Sequence, residues 1–306
     1  MGCKLVKEDI DRVYLPNVKH ENKEELTSSP DTREEYVIIR APADLQLFKP
    51  KTETFENFCC EKLILPEAGM CSVEKDSLLV CGGVDFYGEE SSSCFFIDLS
   101  NGSLVDLTSM PACKRRLRLV YSPDTGSAFA LGGVRQVLKN KSYEIDYSCS
   151  CLEFNFKTQT WKVHEEMPLP VEFSGAFLNN SEIWVTGGAN ENTDSWLQDS
   201  VQVLNIHHKF WRTLDLKLPV KLYMHLTYRL DPFNFLILGG VDEEQYEAGF
   251  IFHCSKANYS EVAKFPSGLS TAFPHYLIPH ENFLYCPNEF GKVFCFNTET
   301  KEVHIC

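Results

Sequence analysis

Four apolar runs of this chain each end in a pair of adjacent glycines. They are "LLVCGGV" (Gly82, Gly83), "AFALGGV" (Gly132, Gly133), "IWVTGGA" (Gly187, Gly188) and "FLILGGV" (Gly239, Gly240), at intervals of 50, 55 and 52 residues. A period of this size signals a repeat architecture, in which one unit cannot bury its own apolar faces and must stack on its neighbours. Glycines after a strand can cradle a phosphate, but that use needs a following helix and a spaced glycine or Gly-Lys motif. Here "GGVDEEQ" places three acids beside the supposed phosphate. The glycines instead mark places where backbones crowd and no side chain fits.

A second frame repeats independently. Eight-residue segments open on a large apolar residue, pass through polar turn formers and close on another large residue. They are "FKPKTETF" from Phe48, "IDLSNGSL" from Ile97, "FNFKTQTW" from Phe154, "LNIHHKFW" from Leu204, "FHCSKANY" from Phe252 and "FNTETKEV" from Phe296. Each reads as two strands joined by a tight hairpin. Prolines 66, 111, 168, 219 and 266 follow five of the six, as suits a connection leaving one sheet for the next. Another hairpin lies between each proline and the next glycine pair, so a unit holds four short antiparallel strands, a to d. No helical stripe of useful length occurs after residue 35.

Four-stranded units of about 50 residues resemble the kelch repeat of β-propellers. The resemblance covers residues 35–306 and rests on the glycine pair closing strand b, the large residue opening strand d, and the turn before it. It implies an all-β, six-bladed kelch-type propeller, with blades at about 35–66, 67–111, 112–168, 169–219, 220–266 and 267–306. Trp161 and Trp211 are then expected to fill the wedge between blades. The first and last blades depart from the pattern, with "YVIIRAP" and "FLYCPN" in place of the glycine pair. The innermost strand of the first blade is not evident; "DIDRVYLPN" (9–17) is a candidate.

Composition narrows the function classes. The net charge of −14 argues against a nucleic-acid partner. Thirteen cysteines occur without a C-x-x-C pair, so they are expected to be reduced thiols, several of them small core residues, with no metal site. No apolar run reaches the roughly 20 residues of a membrane span, and no secretory signal is expected. Residues 1–34 read as a flexible polar tail. Its start, "MGCKLVKE", resembles a dual-acylation signal through Gly2 and Cys3, although Val6 stands where the pattern has Ser or Thr. An acylated anchor, giving peripheral association with the cytoplasmic face of a membrane, and an ordinary tail both remain open.

In kelch propellers that bind partners, the face built from the d–a and b–c connections carries the contact. Arg115, Arg116 and Arg135, with Lys114, Lys139 and Lys141, are expected to form a basic sector there, suited to an acidic peptide. Tyr87, Trp196 and Tyr246 are expected as exposed aromatic anchors on the same face. No catalytic constellation is evident, so the expectation is a monomeric, non-enzymatic, cytoplasmic interaction scaffold without cofactor. The alternative is a sugar-converting enzyme, epimerase-like, with its site at the channel mouth.

Overall fold

The computed structural model describes residues 37–40, 45–49, 52–58, 62–73, 77–99, 102–191, 195–241, 249–253, 258–262, 278–287 and 293–305. Strands β1 (Val37–Arg40), β2 (Leu45–Lys49) and β3 (Thr54–Phe58) make a three-stranded sheet. Strands β4 (Gly69–Ser72), β5 (Ser77–Cys81), β6 (Cys94–Asp98) and β7 (Leu104–Leu107) make a four-stranded one. Then come β8 (Arg118–Ser122) and β9 (Ser127–Leu131), a separate hairpin of β10 (Val134–Lys139) and β11 (Ser142–Tyr147), and β12 (Cys151–Asn155) and β13 (Thr160–Val163). Strands β8, β9, β12 and β13 form one sheet, from which the hairpin projects. The next sheet holds β14 (Gly175–Asn179), β15 (Glu182–Thr186), β16 (Ser200–Asn205) and β17 (Phe210–Lys217). It is followed by β18 (Leu226–Asp231), β19 (Asn234–Leu238), β20 (Gly249–His253) and β21 (Asn258–Val262). Last are β22 (Ile278–His280), β23 (Phe283–Pro287), β24 (Val293–Asn297) and β25 (Val303–Ile305).

The arrangement is that of a β-propeller. The first strands of four consecutive sheets lie side by side: β4 beside β8, β8 beside β14, β14 beside β18. Four blades, rather than the six expected, therefore stand as a continuous run. The three-stranded sheet has no innermost strand among the described residues, and the candidate for it at 9–17 lies outside them. The residues leading into β22 lie outside them too.

Burial falls from the middle of each blade to its rim. In β15 and β16 nearly every residue is buried, whereas β17 alternates exposed and half-buried positions. The central strands have a neighbouring blade on each face, so they read as continuous apolar runs, and the outermost strand faces water on one side. Mixed clusters join successive blades. One unites Leu79 and Phe96 with Leu119, Ala128 and Phe154, and another unites Phe129 and Val120 with Ile183 and Leu204. Phe48 of β2 packs with residues of β5, β6, β23 and β24.

The hairpin turns between strands c and d share one construction. Asn155, Asn205 and Asn297 each accept a side-chain hydrogen bond from the backbone three residues on, at 2.9, 2.8 and 3.0 Å. Four residues after each asparagine comes a left-handed residue: Gln159, Lys209 and Lys301. Asparagine is suited to this work because its side chain mimics a backbone turn. Glu53 and Gly102 hold the same left-handed position in two other frames.

The glycine pairs seat each blade on the next. At Gly132 an added Cβ would lie 2.3 Å from the carbonyl oxygen of Val171, in the following blade. At Gly133 it would lie 2.7 Å from the carbonyl of Arg115, in its own blade. Both have positive φ, and the Gly133 N–H donates to Val171 O at 2.9 Å. Gly82–Gly83 and Gly187–Gly188 repeat the contact against Lys114 with Pro66, and Leu222 with Glu172. Only glycine permits two backbones to come this close. Trp161 and Trp211 are half-buried between blades, and their indoles donate to Thr108 O (2.7 Å) and Glu165 O (3.0 Å) of the preceding blade.

Candidate interaction face

Each of the four described d–a connections enters the propeller through one left-handed residue placed two positions before the inner strand. These are Glu67, Arg116, Phe173 and Met224, with φ of 59, 59, 49 and 57°. Their backbones form a chain of hydrogen bonds from blade to blade. Arg116 N–H donates to Glu67 O (2.8 Å), Phe173 to Arg116 O (3.1 Å) and Met224 to Phe173 O (2.8 Å). The preceding residues Arg115, Glu172 and Tyr223 pair with Val134, Ala189 and Val241, directly after the glycine pairs. The connections from different blades are thereby gathered at one end of the ring.

Side chains on this clasp compensate one another. Arg116 forks onto both oxygens of Glu67 at 2.9 Å and reaches Glu172 at 2.9 Å with its remaining nitrogen. Arg115 binds Glu67 at 2.7 Å and Glu90 at 3.0 Å. Burial pushes the Glu67 carboxyl up, but the two guanidinium groups outweigh it and hold it below the ordinary carboxylate value. Burial opposes the charge on Arg116 as well, and Glu67 and Glu172 hold it charged above its usual range. For Glu172 burial prevails over Arg116 and raises its pKa.

An aromatic series continues from the ion pairs. The Arg116 guanidinium lies 5.0 Å from the Phe173 ring centre. Phe173 meets Tyr223 edge-on at 6.4 Å, and Tyr223 meets Trp196 at 5.0 Å. Burial and the charge of Glu172 raise the Tyr223 hydroxyl. Trp196 is held in its loop by a 2.6 Å hydrogen bond from Asn190 N–H to its carbonyl.

Of the residues expected from the sequence, Arg115, Arg116 and Trp196 belong to this network. Arg135 lies on β10, paired with Asp146 at 2.8 Å. Tyr87 is at the tip of the 84–90 loop, where Asp85 accepts its N–H at 2.8 Å. Tyr246, Gly2 and Cys3 lie outside the described residues. Lys114 is buried, donates to Gly132 O at 3.3 Å and to the hydroxyls of Ser148 and Ser150, and is pulled down to about 8 by burial and then by Arg135. Lys114, Arg115, Arg116, Arg135 and Lys139 of the expected basic sector are thus drawn into hydrogen bonds or ion pairs within the chain. Glu67, Glu90, Glu172, Phe173 and Tyr223 were missed; all but Glu90 sit in the short d–a connections, and their equivalent places before each inner strand were the available signal.

The inner strands enclose a cavity of about 250 Å³ lined by Met70, Arg118, Leu119, Phe177, Thr227 and neighbours. Arg118 is buried and donates to the carbonyls of Ser174 and His225, crossing from its own blade to the next two. Burial lowers its pKa to about 9. His225 is fully buried, with Nε2 2.9 Å from Thr186 Oγ1, and is driven down to about 3 by burial and by the charge of Arg118. Its imidazole is neutral at ordinary pH. Among the described residues, no cluster of His, Cys, Asp or Glu is arranged to hold a metal ion, and no helix is long and apolar enough to cross a membrane.

No family model matches the chain, and no curated protein is significantly similar to it.

Proposed function

We propose that the chain is a kelch-type propeller of six blades that works as a non-enzymatic protein-interaction scaffold, using the face where the d–a and b–c connections meet. The observation that carries this reading is the clasp itself, a rigid, charge-compensated floor bordered by the half-exposed Tyr223–Trp196 pair. Preorganised aromatic side chains are the usual anchors of protein interfaces. The two frames of the sequence, glycine pair and eight-residue hairpin, support the kelch family and the count of six. Gly2 and Cys3 support a tether at the cytoplasmic face of a membrane, since two acyl chains give stable anchoring where one does not.

Affinity capture from cells tests the reading, with wild type beside Trp196→Ala. A stoichiometric protein partner lost in the variant is expected. Turnover of a sugar by the purified chain, with no such partner, would refute it and favour an epimerase-like enzyme. Membrane fractionation with Gly2→Ala tests the tether; an unmodified terminus by intact mass rejects it.

A further inference from the structure

We infer that a cleft beside the clasp, between the 84–90 loop and the β10–β11 hairpin, binds a cationic side chain of a partner segment. The inference rests on the interaction-scaffold reading and names the chemistry of the partner.

The hairpin is two-faced. Register pairs Leu138 with Tyr143 and Gln136 with Ile145, and alternation places these four on one face. Arg135, Asp146, Lys139 and Glu144 occupy the other, where they form two ion pairs. Leu138 and Tyr143, the outer pair of the first face, remain open to solvent, with Tyr143 74% exposed. Across from them the loop presents Tyr87, 92% exposed, and beside it in sequence Phe86 is 81% exposed. Four large side chains left open on facing elements are more than scattered surface apolarity.

Between the walls is a cleft of about 450 Å³, lined by Tyr87, Glu89, Glu90, Cys113, Gln136 and Tyr143. Glu90 fixes its geometry, since one carboxylate accepts Gln136 N–H at 3.0 and 2.9 Å and the Arg115 guanidinium at 3.0 Å. Arg115 is already matched by Glu67 and Glu90. Glu89 is exposed and enters no ion pair among the described residues. The cleft therefore offers aromatic faces and an unmatched carboxylate, on a chain of net charge −14. Tyrosine rings and a carboxylate together select a guanidinium or ammonium group. Leu138, exposed and paired with Tyr143 on the same hairpin face, suits a large apolar residue beside it. The occupant is an extended partner segment carrying arginine or lysine next to an aliphatic residue, the opposite in sign to the acidic peptide expected from the sequence.

Fluorescence anisotropy with the full chain tests this, using a labelled short peptide of alternating arginine and leucine, and its counterpart with glutamate for arginine. The arginine peptide is expected to bind and the glutamate peptide not to. The double variant Tyr87→Ala/Tyr143→Ala, which leaves the charge unchanged and removes only exposed rings, should weaken binding on the order of tenfold. Glu89→Gln should weaken it and flatten its salt dependence. A bulky maleimide on the exposed Cys113 should block the peptide in wild type and not in Cys113→Ser. Equal binding to the tyrosine-free variant would reveal general charge attraction and overturn the inference. Preference for the glutamate peptide, or binding of neither, would overturn it as well, while cellular capture through Trp196 would still judge the scaffold reading separately.

Discussion

Acid should loosen this ring through His225 before its carboxylates titrate. The imidazole is fully buried beside Thr186, Gly175 and Gly187, and its pKa is held at about 3 against 6.5 for the free side chain. The folded protein therefore refuses a proton that the unfolded chain accepts. Stability is complete above pH 6.5 and falls as pH drops towards 3, because the unfolded state binds more protons throughout that window. Between pH 7 and pH 5 the linkage amounts to roughly 2 kcal/mol, a large part of an ordinary folding free energy. The assay is urea unfolding at pH 7, 6 and 5 for wild type and His225→Gln. The variant differs in absolute stability, but groups common to both proteins cancel in the pH slope, including Glu172 with its raised carboxyl and Glu67, held low by its arginines. Wild type should lose about 2 kcal/mol more than the variant over this range. Parallel losses would refute the claim that the channel keeps this histidine neutral.

Substitutions at Gly133 and Arg116, each beside a control, test the clasp. Gly133→Ala should cost about 2 kcal/mol or more, since its φ of +85° is combined with a carbonyl 2.7 Å from the new methyl group. Gly126→Ala, also at positive φ but facing open space, should cost about 1 kcal/mol in the same denaturation series, and equal costs would discount the backbone crowding at Gly133. Arg116→Ala leaves Glu67 and Glu172 short of their shared cation and should destabilise by about 3 kcal/mol. Arg116→Lys should recover only part of this, because an ammonium cannot fork onto both Glu67 oxygens; full recovery in thermal melts would reject the bidentate account.

The scaffold was legible wherever a local rule forces a residue. Glycine pairs were readable because backbone contact leaves no alternative, and the hairpin frames because asparagine and a left-handed residue recur at fixed places. The face was less legible. Arg115 and Arg116 looked available for a ligand, yet their partners Glu67, Glu90 and Glu172 stand 25 to 56 residues away, and only the packing of successive blades brings them together. The segment 134–148 shows no continuous alternation in the sequence, because a lysine-rich turn interrupts it. It forms two paired six-residue strands whose apolar face creates the cleft with Tyr87.

The four left-handed residues that link the blades are an acid, a base, an aromatic and a thioether. Their shared hydrogen bonds are made by peptide groups, so the backbone joint itself accepts four unlike side chains, and the ion pairs of Arg116 are an addition to it. New binding chemistries could be written onto the hub one spoke at a time without rebuilding it.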